Sequence, residues 1–155
     1  MRRDEVGGRV ASFYRSLEQR VEEWVGSPEA RGVAHPDLYR YLPTLYIFLV
    51  RLALDGRLPD HERNGILAAL KYIVAPYDLI PEGVLGTSGF RDDLVLAAMV
   101  VDRLHRVAPP DVLDEQWSAP GDSLQVARAI LGARSDMVDP EVADCLTAWL
   151  PQLGL

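Results

Sequence analysis

The sequence predicts an all-α fold: a compact single-domain bundle of about six helices, with a proline-rich turn between two buried central helices. Three observations predict it. Val6, Val10, Phe13, Leu17, Val21 and Trp24 recur at intervals of 4, 3, 4, 4 and 3, which gathers them on one helical face. Two runs, Leu45–Leu54 and Leu94–Val101, are apolar almost all round, as interior helices are. Strand-like alternation of useful length is missing, as is any internal repeat.

Taken in order, the first helix carries Arg15, Glu18, Arg20, Glu22 and Glu23 off its apolar face, and Gly26 suits a left-handed stop after the last turn. That face is expected to cover the protein's own core. After a polar linker from Ser27 to Ala34, His35-Pro36-Asp37 reads as a helix start and Pro43 as a kink or restart. The apolar run to Leu54, broken by Arg51, ends at Asp55-Gly56. Pro59-Asp60 opens a third helix through Ile66, Leu67, Leu70, Ile73 and Val74. His61-Glu62 within it is no zinc-protease motif, because the second histidine required four residues on is replaced by Gly65.

Pro76 and Pro81 bracket Tyr77-Asp78-Leu79-Ile80, and proline's fixed backbone angle should end the preceding helix at Ala75. Gly83, Gly86 and Gly89 make a turn-rich loop. It is not a phosphate cradle, since no lysine follows the glycines and Glu82, Asp92 and Asp93 would repel an anion. Asp92 or Asp93 is expected to cap the next helix, through Leu94 to Val107. Beyond Pro109-Pro110 come a short helix at Asp111–Trp117 and a helix started by Asp122 or Ser123 with Leu124, Ala127, Ile130 and Leu131 inward. The last helix is started by Asp139-Pro140-Glu141, with Val142, Cys145, Leu146, Trp149 and Leu150 inward.

Composition narrows the function classes. A chain of 155 residues fits one domain with a self-standing core. Its formal charge of −7 divides into +1 over residues 1–57, −2 over 58–107 and −6 over 108–155. No third is strongly basic, which disfavours nucleic-acid binding by phosphate neutralisation. A single cysteine, Cys145, leaves no intrachain disulfide and favours a reducing, cytoplasmic setting. The opening MRRDEVGGRV has no apolar run behind its basic residues, so it is not read as a secretory signal. No segment reaches the length of a membrane span; the nearest, Tyr41 to Val50, stops at Arg51.

At Pro76-Tyr77-Asp78-Leu79-Ile80-Pro81, followed by Gly89-Phe90-Arg91-Asp92-Asp93-Leu94, the chain resembles the YkvA-like family, a mainly bacterial domain of unknown function. The likeness covers roughly residues 58–105, with 1–57 packing on that core and 108–155 as an acidic helical extension. Where the family has Asp after the second proline, this chain has Glu82. The resemblance implies a small helical domain, sometimes found beside or within membrane-associated proteins, and no reaction.

Asp78, Glu82, Asp92 and Asp93 form the candidate site. If the turn folds back on the following helix, their oxygens suit a hard cation such as Mg²⁺ or Ca²⁺, which could activate water for hydrolysis. The plainer reading makes Asp78 a turn residue and Asp92 a cap, each cap contributing about 1 kcal/mol, and it takes precedence. Catalytic residues are not identified: Lys71, Tyr72, Tyr77, Ser88 and Arg91 lie near in sequence in no recognised arrangement. Lys71 is expected to reach water. His35, His61 and His105 stand apart, and Cys145 is expected to be an inert, inward thiol. The preferred function is a non-enzymatic module that binds a protein partner or forms a homo-oligomer, with the metal-dependent reading as its rival. Peripheral membrane association through Leu79–Leu85 is opposed by Asp78 and Glu82 and by the want of a basic patch.

Overall fold

A computed structural model describes residues 3–74 and 90–155. The described residues are all-helical, with eight α-helices rather than about six. They are α1 (Arg3–Val25), α2 (Tyr41–Ala53), α3 (Asp60–Val74), α4 (Phe90–Val107), α5 (Pro110–Gln116), α6 (Ser123–Gly132), α7 (Arg134–Met137) and α8 (Pro140–Trp149). Tighter 3₁₀ segments occupy Pro28–Gly32, Pro36–Arg40 and Leu150–Leu153. The additional elements are one-turn pieces such as α7, too short for apolar periodicity to appear in sequence.

Helix α4 is the centre. Leu94 through Val101 are buried without exception, so no face of that stretch meets water. It packs most extensively on α6 and also touches α2, α3, α7 and α8. Helix α2 fills the interior on the other side through Leu45, Phe48, Leu49 and Leu52, while Arg51 points out. At the inner face of α1, Leu17, Val21 and Trp24 are buried and Val10 and Phe13 pack against the core. Trp24 meets Tyr39 at 4.7 Å and Phe13 meets Tyr46 at 4.8 Å, both tilted.

Gly26 does not take the left-handed conformation; its amide bonds Glu22 O, and Ser27 Oγ donates to the Trp24 carbonyl at 2.6 Å, which absorbs an orphan acceptor of the helix end. Left-handed geometry falls instead on His35, ahead of Pro36, at φ 56°. Pro43 causes no break inside a helix, because α2 starts at Tyr41 and the proline stands in its first turn, where no N–H is needed. Leu54 is 72% exposed, and on α3 Leu67 and Val74 are 44% and 45% exposed, so those apolar runs are not inward throughout. In α6 the buried positions are Ser123, Val126, Ala127 and Ile130, with Leu124 and Leu131 half-buried. Cys145 is exposed, because Leu146, one position on, takes the inward place in α8.

The end of the described chain crosses α3 closely. A β-carbon at Gly65 would lie 2.5 Å from the Leu153 carbonyl oxygen and 2.8 Å from Leu155 Cγ. Glycine is required there by the close approach of backbone, which the reversal at Gly154 (φ 83°) makes.

Candidate functional site

Of the four candidate carboxylates, Asp92 and Asp93 are described; Asp78 and Glu82 lie outside the described residues. So do Tyr77, Ser88, the Pro76–Pro81 turn, Leu79–Leu85 and the helix end expected at Ala75. Asp92 and Asp93 fall inside the first turn of the described part of α4 and not before it. Both are buried, at 0% and 3% exposure. Two neighbours on a helix diverge by about 100°, so they face different surroundings.

Asp92 is held by α3. Tyr72 Oη donates to Asp92 Oδ2 at 2.6 Å, and the Tyr72 ring packs at 5.4 Å on Trp149 of α8. One aromatic side chain thus ties three helices together, and a carboxylate near a helix amino terminus is favoured by the dipole. On the other side of this helix end, the Arg20 guanidinium lies 5.8 Å over the Phe90 ring. Burial pushes the Tyr39 hydroxyl up to about 12, with the nearby Arg91 charge acting the opposite way. Lys71 is exposed, as expected. Among the described residues, no three His, Cys, Asp or Glu side chains come together as a metal would require.

Polar arrangements elsewhere were not anticipated. Asp55, buried behind α2, accepts from Arg57 N at 2.9 Å, Arg57 Nε at 3.0 Å, Arg57 Nη2 at 2.6 Å and Gln116 Nε2 at 3.0 Å. Arg57 also meets Glu115 at 2.7 Å. The Arg57 bonds, with help from Gln116, hold the Asp55 carboxyl well below the usual carboxylate range. The local signal was visible as Asp-Gly-Arg in a turn; the partners on α5, about sixty positions away, were not.

The histidines do stand apart from one another, yet each has a partner. His105 Nε2 and Ser123 Oγ are 2.7 Å apart, joining α4 to α6. A serine beside an imidazole is the beginning of a nucleophile–base pair. Ser123 is buried, however, and among the described residues no carboxylate is bonded to His105 as an orienting group. His35 meets Asp136 at 3.2 Å and His61 meets Glu62 at 4.0 Å. Asp122 does cap α6, accepting from Leu124 N at 2.9 Å, whereas Asp139 occupies the cap position of α8 without a side-chain bond.

Residues 65–99 match the family model described as protein of unknown function (DUF1232). The chain contains a stretch similar to a family without assigned activity. That stretch includes Tyr72, Asp92 and Asp93 and lies within the 58–105 segment singled out by its motif; the finer YkvA-like name does not follow from the match. The chain is also 29% identical over 93 residues to an uncharacterized protein, ORF9, of Methanothermobacter thermautotrophicus. The alignment covers 60% of this chain and 59% of that relative, less than two thirds of its length. No solved structure matches. None of the described helices is long and apolar enough to cross a membrane.

Proposed function

We propose that this chain is a non-enzymatic helical module that pairs with a second copy of itself through the outer face of α3. The observation that carries the reading is the exposure of Leu67 and Val74, two helical turns apart, on a face shared with Asn64 and Lys71. Exposed apolar side chains stacked on one helix mark contact surfaces more often than single ones do. This face also carries Lys71 and, one turn before Asn64, Asp60, charges of opposite sign that two copies can oppose without net repulsion. A structural use for Asp92 supports the non-enzymatic part, since a carboxylate bonded between helices is not free to act on a substrate. A reducing, cytoplasmic setting suits the single exposed Cys145.

Light scattering at rising concentration tests the pairing. Wild type is expected to show a dimer that Leu67→Glu and Val74→Glu convert to monomer with unchanged helicity. A strict monomer across the range ends the proposal. The rival, a divalent-metal site or metal-dependent hydrolase using Asp78, Asp92 and Asp93, draws on the burial of two successive acids at the start of α4.

A further inference from the structure

A cleft of about 360 Å³ opens where the second half of α4 meets α7 and the end of α8. One wall is a single face of α4, with Met99, Asp102, Arg103 and Arg106 at helical spacing. The facing wall has Leu131 and Arg134, and Thr147, Leu150, Pro151 and Leu155 complete it. The volume falls within the range of sites that enclose small ligands.

The charge of this cleft runs against that of the chain. Three arginines and one aspartate line it, in a protein of net charge −7 whose last 48 residues contain only two basic side chains, one of them Arg134. Asp102 is engaged by Arg106 at 3.1 Å, and by Arg128 from outside the cleft at 3.9 Å. Arg134 donates to the Leu131 carbonyl at 2.8 Å. Among the described residues, no carboxylate lies within ion-pairing distance of Arg103 or Arg134. Two guanidinium groups that make no ion pair among the described residues therefore line a partly apolar hollow.

We propose that this cleft binds a small organic anion with a short apolar body. Arg103 and Arg134 take its carboxylate or phosphate, and Met99, Leu131 and Leu150 take the hydrocarbon. Planar guanidinium groups match both headgroups with paired hydrogen bonds. The site shares no residue with the α3 face and does not depend on pairing.

The test is titration calorimetry on the full chain with octanoate and octyl phosphate, alongside 1-octanol and inorganic phosphate. One-to-one saturable binding of at least one amphiphile is expected, at least tenfold tighter than either control, and the headgroup that binds identifies the ligand as carboxylate or phosphate. Arg103→Ala with Arg134→Ala should weaken it at least tenfold, while Arg9→Ala with Arg31→Ala, an equal charge change away from the cleft, should leave it unaltered. The proposal is overturned by no binding of either amphiphile at roughly millimolar levels, by equal binding of either control, or by a double variant that binds as wild type does.

Discussion

Tyr72 of α3 and Asp92 of α4 are joined by a 2.6 Å hydrogen bond in which the phenol donates to a fully buried carboxylate. The bond crosses between the two helices that border residues 75–89, and it fixes their relative position from the inside. Tyr72→Phe removes the donor and keeps the ring on Trp149. Hydrogen bonds to charged groups contribute about 1.5–3 kcal/mol, so a loss of that size is expected in urea unfolding, with the helical content retained. An unchanged midpoint would mean that Asp92 does not depend on Tyr72.

Asp55 supplies a pH-dependent part of the stability. Arg57 and Gln116 make its carboxyl harder to protonate in the folded chain than in the unfolded one. Its contribution is therefore complete above the ordinary aspartate value of about 3.9, and is lost as pH falls through the lower folded value. Asp55→Asn is expected to cost about 1–2 kcal/mol at pH 7, near the low end because Arg57 and Glu115 are half-exposed and screened by solvent. The gap between variant and wild type should narrow in acid, as urea titrations at neutral pH and at about pH 2 would reveal.

Gly65 admits the turn at Leu153 and Gly154 against α3. Gly65→Ala gains about 1 kcal/mol of helix propensity but places a carbon against a backbone oxygen. Overpacking costs about 1–3 kcal/mol, so a net loss is expected. Amides of residues 150–155 should exchange faster in the variant, which hydrogen-exchange mass spectrometry would detect.

Cys145 is exposed on α8, and its thiol should titrate with an aromatic disulfide reagent in native buffer at one group per chain. A thiol that reacted only after denaturation would put that helix in a different rotation.

Much of the fold could be read from residue spacing. The α1 face, the wholly buried Leu94–Val101 run and the Asp122 cap follow from local periodicity and local hydrogen bonding, which neighbouring residues determine. Residue spacing does not fix the rotation of α8, because a ten-residue helix gives few apolar positions to orient it. The site was legible only as a set of acids. That Asp92 would meet Tyr72, twenty positions earlier, or that Asp55 would meet Gln116, depends on how helices dock, and no local pattern encodes that. Gly65 shows the same limit: its presence ruled out one metal motif, while its purpose came from a chain segment almost ninety residues away.

Thermal unfolding with and without Mg²⁺, Ca²⁺ or Mn²⁺ at millimolar levels decides whether the buried acid at the start of α4 serves helix packing or a metal. A ligand of the native state must raise its melting temperature. Wild type should show no shift, and Tyr72→Phe a lowered melting temperature whether or not metal is present. A rise of several degrees with one of these cations, abolished by Asp92→Asn, would contradict the packing role.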